Sequence, residues 1–211
     1  MSDSLARRAL ARAAARLNLA GVAVGRLPPV CLMTDDERLP DPVAAAAVLP
    51  RGSLVVVRSR DDRLRATSVS RLAGTAKTRG LIVLVASDPE LAVRSKADGL
   101  HLPESRAQEA SHWRAAHPDW LITVSVHSLR ALACVKHADA AMLAPVFATG
   151  SHRGRKSLSP MRANAIACLS RVPVYALGGI TPANAARISG AHYAGLAAIT
   201  SLSPTGYRGR E

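Results

Sequence analysis

The chain has 211 residues, 48% of them hydrophobic, and a formal net charge of +13. That length fits one domain with a full core, and no apolar run approaches the ~20 residues needed to cross a bilayer. Only 3% of the residues are aromatic, too few for the stacking platforms that hold single-stranded nucleic acid. Nucleic acid and membrane are therefore set aside as partners, and the positive charge is read as suited to small anionic ligands. Cys31, Cys134 and Cys168 lie in apolar stretches without paired spacing. They are expected to be buried thiols of a reducing, cytoplasmic compartment, not a disulfide or a zinc site.

Residues 1–26 read as an N-terminal extension and residues 27–211 as the main domain. Within the extension, residues 4–19 (SLARRALARAAARLNL) combine the strong helix formers alanine and arginine, which predicts an added helix. Eight short apolar runs of strand character follow, at 30–34, 54–57, 81–85, 99–102, 121–126, 140–143, 172–177 and 195–199. Between them lie segments of helical composition at 42–49, 66–78, 89–96, 105–116, 128–137, 159–170 and 182–189. Strands that are apolar throughout, alternating with helices, indicate a parallel sheet covered on both faces. Eight such units predict an α/β fold, a compact (β/α)8 TIM barrel. A doubly wound open sheet is disfavoured, because no G-x-G-x-x-G follows the first strand. Only TSLSPTGYRGRE, short and rich in turn residues, follows the last apolar run, so the final helix is expected to be missing or vestigial.

The densest signal is VPVYALGGITPANAARISGAHYAGLAAITS, residues 172–201. An apolar run meets Gly178 and Gly179. Thr181 and Pro182 then read as a helix start, and a second apolar run ends at Thr200 and Ser201. Paired glycines let backbone N–H groups approach an anion, and a helix N-terminus behind them would add partial positive charge. The plainer reading is a tight turn that needs glycine, and both readings stay open here. From Ala140 to Arg210 there is no Asp or Glu, whereas eight Arg or Lys residues fall in that stretch. This suits an anionic ligand, though a solvated basic face has the same composition.

In a barrel, chemistry sits at the C-terminal strand ends. Those ends carry Thr34 and Asp35; Arg58 and Arg60; Ser87 and Asp88; His101 and Glu104; Ser125 and His127; Thr149, Ser151 and His152; Gly178 and Gly179; Thr200 and Ser201. Cations, hydroxyls and glycines in this mixture suit two phosphate groups. Taken singly, His101 and His127 read more readily as hydrogen-bonded structural histidines.

The same residues, in order, resemble one family. Leu32-Met33-Thr34-Asp35, Arg58-Ser59-Arg60, Ser87-Asp88, KADGLHL ending at Leu102, Ser125-Val126-His127, APVFATGSH at 144–152, Gly178-Gly179-Ile180 and GLAAIT at 195–200 are similar to the strand ends of thiamine phosphate synthase and its sister, the thiazole tautomerase. The resemblance covers roughly residues 31–202. It implies a transferase of thiamine biosynthesis, which joins hydroxymethylpyrimidine pyrophosphate to a thiazole phosphate and releases pyrophosphate. By the same resemblance, Arg58 and Arg60 would hold the pyrophosphate, with Ser125 and His152 nearby. Gly178, Gly179, Ile199 and Thr200 would hold the thiazole phosphate. Thr149 and Ser151 would shape the loop between the two groups, Ser87 would face the pyrimidine, and Asp88 would be a Mg²⁺ ligand.

Departures from the family pattern are visible. Arg106 stands where the second Mg²⁺ aspartate is expected, with Glu104 the nearest carboxylate, so the Mg²⁺ site is expected to be weakened. Ser87 replaces an asparagine and Val56 a glutamine, Arg60 and His152 replace lysines, and Pro145 replaces the tautomerase histidine. Three classes therefore stay open: a divergent synthase, a tautomerase-like isomerase using His127 or His152, and a non-catalytic barrel that binds or senses phosphate ligands. Homo-oligomerisation is equally open.

Overall fold

The computed structural model describes residues 3–21, 25–149 and 157–204. Eight parallel strands close into a barrel in chain order. They are β1 (Val30–Met33), β2 (Leu54–Val57), β3 (Ile82–Ala86), β4 (Gly99–Leu102), β5 (Leu121–Val126), β6 (Ala140–Leu143), β7 (Val174–Ala176) and β8 (Tyr193–Ala198). Closure is made by β1 against β8, with Val30 opposite Leu196 and Cys31 opposite Ala197.

Period-two alternation divides each strand between two apolar layers. Cys31, Met33, Leu54, Val56, Leu84, Met142, Tyr175 and Ala197 fill the interior. Val30, Leu32, Val55, Val57, Leu100, Leu102, Val124 and Leu143 face outward, against the helices. That is why the strands read as continuous apolar runs. The interior is polar in one sector, where His101 of β4 and Thr123 of β5 are opposite each other in register and buried.

The helices are α1 (Asp3–Leu19), α2 (Pro42–Ala47), α3 (Asp62–Arg79), α4 (Pro89–Arg94), α5 (Ala110–Ala116), α6 (Leu129–Ala133) and α7 (Pro160–Cys168). Their starts follow side-chain chemistry. Asp41, Asp61, Asp88, Ser128 and Ser159 each accept a backbone N–H from the first turn of the following helix, satisfying donors that the helix leaves unpaired. α3 stops at Gly80, which adopts the left-handed conformation at φ 61°.

α1 lies against β8. It buries Leu10, Ala14 and Leu17, and the Asn18 amide donates to the carbonyls of Ala194 (2.6 Å) and Leu27 (3.2 Å). After β8 the described chain makes only a 3₁₀ turn, Thr200–Leu202. Arg7 of α1 donates to the carbonyls of Ser203 and Pro204 just beyond that turn. The added helix thus covers the flank that an eighth helix would otherwise close.

Two expectations need correction. The helix expected at 182–189 is a single 3₁₀ turn, Ala185–Arg187. Asn184 closes the turn locally: its side chain accepts the Thr181 N–H and donates to the Gly179 carbonyl, both at 2.8 Å. No helix N-terminus therefore stands behind the glycine pair. The cysteines also differ from expectation: Cys31 is buried, whereas Cys134 and Cys168 are exposed.

Candidate active site at the strand ends

Barrel closure brings the C-terminal ends of all eight strands to one rim, and most of the residues singled out above belong to it. At β1 and β2, Thr34 is buried and tied to Arg58 by a reciprocal pair. Its hydroxyl donates to the Arg58 carbonyl (2.9 Å) and accepts the Arg58 N–H (2.8 Å). The Arg58 guanidinium donates to Asp35 (3.1 Å), and Asp35 also takes a forked pair from Arg38. Burial disfavours the Asp35 carboxylate, but hydrogen bonds from Arg38 and the charges of Arg38 and Arg58 outweigh it and hold its pKa down to about 2. Arg58 is thereby oriented while over a third of its side chain stays exposed. Arg60 is exposed; its backbone N–H donates to Asp36.

At β3, Ser87 adopts φ 63°, a conformation non-glycine residues rarely hold without support. The support is a bond from its N–H to the His101 carbonyl (2.9 Å) and one from Arg106 to its own carbonyl (2.8 Å). Asp88 is held within the chain through both oxygens, with its side chain 23% exposed. One oxygen caps α4 through the Leu91 N–H (2.8 Å), and the other meets Arg65 at 3.3 Å. Arg106 occupies the position where a second carboxylate was expected and forks onto Glu109 at 2.7 Å. Glu104 accepts the His127 N–H. Mg²⁺ requires several free oxygen ligands in near-octahedral geometry. Here the carboxylates next to β3 and β4 are already bonded, and no group of three or more His, Cys, Asp or Glu among the described residues could hold a metal. The described residues thus form no all-protein cage for Mg²⁺, and one or two carboxylates with waters and substrate phosphates are its usual ligands.

At β4 and β5, His101 stands between two hydroxyls, with Nδ1 2.8 Å from Thr123 Oγ1 and Nε2 2.8 Å from Ser125 Oγ. Burial, with the Arg58 charge added, pushes the His101 pKa down to about 4, so the ring is neutral at physiological pH. His127 is held differently: its Nδ1 donates to the Ala144 carbonyl at 2.7 Å.

At β6 to β8, the glycine pair packs against the loop after β6. Phe147 N–H donates to the Gly178 carbonyl and Val146 N–H to the Leu177 carbonyl, both at 3.0 Å. Gly178 and Gly179 have φ 97° and 64°. A Cβ on Gly178 would lie 2.8 Å from Pro145 Cα, and one on Gly179 would lie 2.5 Å from the Ala148 carbonyl oxygen. Ser201 Oγ donates to the Ile180 carbonyl (2.7 Å), which ties the β7 end to the β8 end, beside Ile199 and Thr200. Among the described residues, the N–H groups of Gly178, Gly179 and Thr200 donate to no acceptor within the chain. Backbone N–H groups left free at a barrel rim are available as donors to an anion. The tight-turn reading holds, since close packing demands glycine at both positions, and the same backbone leaves N–H donors without an acceptor among the described residues. Thr149 is half-buried at the edge of the described loop, and Ser151 and His152 lie outside the described residues.

Three participants escaped sequence reasoning. Arg65 is nearly buried and bridges the Ser59 carbonyl, Asp62 and Asp88. Arg38 orients Asp35. Thr123 is the inner anchor of His101. Only the last had a legible signal, since Gly-Leu-His-Leu and Leu-Ile-Thr-Val-Ser-Val alternate outward apolar residues with inward polar ones.

Comparison with known proteins supplies the relatives. The sequence profile of the thiamine monophosphate synthase family matches residues 30–202. A thiamine-phosphate synthase of Bordetella pertussis is 33% identical over 80% of this chain and 82% of its own length. One of Chlorobium luteolum is 28% identical over 83% of this chain and 85% of its own. A solved structure, thiamine phosphate pyrophosphorylase of Pyrococcus furiosus, superposes with a TM-score of 0.66 at 21% identity, covering 84% of this chain and 88% of that one. At that identity it speaks to the shared barrel.

Proposed function

We propose, from the premise that the chain belongs to the thiamine monophosphate synthase family, that it joins hydroxymethylpyrimidine pyrophosphate to a thiazole phosphate. The observation that carries this reading is one rim with cationic side chains at one end and free backbone N–H donors at the other. Oriented Arg58, with Arg60 beside it, stands at the β2 end. The free N–H groups of Gly178, Gly179 and Thr200 stand at the joined β7 and β8 ends. In the reaction the bond between the pyrimidine methylene carbon and the pyrophosphate oxygen breaks, and both electrons leave with pyrophosphate. The thiazole nitrogen then donates its lone pair to that carbon, and the new C–N bond leaves a thiazolium. No proton has to move. The catalytic need is stabilisation of charge on the departing pyrophosphate, supplied by preorganised cations and hydrogen-bond donors.

In this assignment Arg58 and Arg60 take the pyrophosphate, while Gly178, Gly179, Ile199 and Thr200 cradle the thiazole phosphate. The family resemblance adds Ser125 and His152 beside the pyrophosphate, Ser87 toward the pyrimidine, and Thr149 and Ser151 between the two groups, with His127 the remaining candidate; Ser151 and His152 lie outside the described residues. Asp88 and Glu104, the carboxylates nearest the expected Mg²⁺ position, are bonded to Leu91, Arg65 and His127 within the chain. The decisive test supplies both substrates to the purified chain, follows thiamine phosphate and pyrophosphate, and checks growth of a thiamine auxotroph lacking its synthase. Stoichiometric formation of both products is expected. Saturable binding of thiazole phosphate with no product would replace this reading by a binding role.

A further inference from the structure

The polar sector of the barrel interior has a direction that its hydrogen bonds define. Thr123 is fully buried and His101 is 3% exposed. Ser125, one inward position further along β5, is half-buried at the barrel mouth. Among the described residues, the hydroxyl of Thr123 has one partner, His101 Nδ1, and that of Ser125 has one, His101 Nε2. A neutral imidazole carries one proton, so one nitrogen donates and the other accepts. If Nδ1 carried the proton, the hydroxyl proton of Thr123 would be buried without an acceptor, and orphaned buried donors are rare and costly. The alternative satisfies every group. Thr123 O–H donates to Nδ1, the ring proton sits on Nε2 and is donated to Ser125 Oγ, and the proton of Ser125 is left to point outward.

We infer that His101 is a positioning residue, which with Thr123 fixes Ser125 as a hydrogen-bond donor toward an acceptor atom of the substrate, an anionic oxygen or an unprotonated ring nitrogen. The inference rests on the proposed reaction for the identity of that substrate, but not for the direction of the chain. Each bond polarises the next, so the outward donor is stronger than an isolated serine. The neutral state of the ring, maintained by burial and by the charge of Arg58, keeps the direction fixed across the physiological range.

Side-chain ¹⁵N NMR of the full-length chain tests the direction without turnover. The His101 resonances, identified by their loss in His101→Gln, should report the Nε2–H tautomer; the Nδ1–H tautomer would overturn the inference. Kinetics test the consequence. Ser125→Ala should lower kcat/KM by about 10- to 100-fold, the scale of a lost bond to a charged group. His101→Gln places an amide N–H near the Nε2 position and should keep most of the activity. His101→Asn reaches only toward Thr123 and should lose as much as Ser125→Ala. The double variant Ser125→Ala/His101→Asn should be no worse than either alone, because His101 acts through Ser125. Additive losses in folded proteins would refute the positioning role even where the synthase reaction proceeds. An Nε2–H tautomer together with absent turnover would sustain the positioning role, read then through the affinity for hydroxymethylpyrimidine pyrophosphate, and remove the synthase reading.

Discussion

Gly179→Ala separates the two demands made on the glycine pair. The added Cβ would meet the Ala148 carbonyl oxygen at 2.5 Å and Phe147 Cβ at 2.8 Å. Both neighbours belong to a loop pinned by the Phe147 and Val146 hydrogen bonds, so neither can withdraw without breaking a backbone pair. Overpacking of this kind costs about 1–3 kcal/mol. A non-glycine residue at φ 64° adds about 1–2 kcal/mol. Together they amount to roughly 2–5 kcal/mol, which in a domain of this size lowers Tm by roughly 5–15 °C. Thermal unfolding by circular dichroism reads the stability, and titration calorimetry with thiazole phosphate, at a temperature where both proteins are folded, reads the affinity. A shifted turn should also weaken the phosphate at least tenfold, because the N–H groups of Gly178 and Gly179 move with it. A Tm within about 1 °C of wild type would refute the packing argument. A destabilised variant with unchanged affinity would refute the cradle.

Other expectations follow from the same geometry. His101 has a pKa near 4 in the fold against about 6.5 unfolded, so between these values the unfolded chain binds a proton that the native ring refuses. Stability should therefore fall as pH drops from 6.5 to about 4, by roughly 3 kcal/mol at most, and urea titrations across that window should show a flatter slope for His101→Gln. Leu10 of α1 is 2% exposed, so Leu10→Ala should cost about 2–5 kcal/mol. Removing residues 1–20 should lower Tm measurably, and unchanged melting would show that α1 does not close the barrel flank. Asp88→Ala removes the α4 cap and leaves Arg65 without one of its carboxylates, which should cost about 1–2 kcal/mol. Calorimetry should find Mg²⁺ affinity of the free protein independent of this residue, whereas Asp88-dependent Mg²⁺ binding would restore a metal ligand role.

The family and the barrel were legible in the sequence because both are written in local terms. Eight apolar runs with helical segments between them specify parallel strands covered on both sides, and the ordered strand ends carry Thr34, Arg58, Asp88, Ser125 and Gly178-Gly179 whatever the exact packing. The glycine pair was legible as an anion cradle or as a tight turn, but the packing that demands glycine at both positions was not. That required seeing the loop after β6 pressed against Gly178 and Gly179. The helix expected at 182–189 shrinks to one turn, in which Asn184 ties Thr181 to Gly179 and only Ala185–Arg187 continues as a 3₁₀ turn. What no linear reading could supply is who neutralises whom. Asp88 was readable as a metal ligand, but its partner Arg65, 23 residues away in the chain, was not. His101 was one polar residue in an apolar strand until Thr123 and Ser125 of the next strand gave it a direction. Strand periodicity is set by each residue and its near neighbours, whereas charge pairing and proton direction depend on contacts between segments that only closure of the barrel brings together.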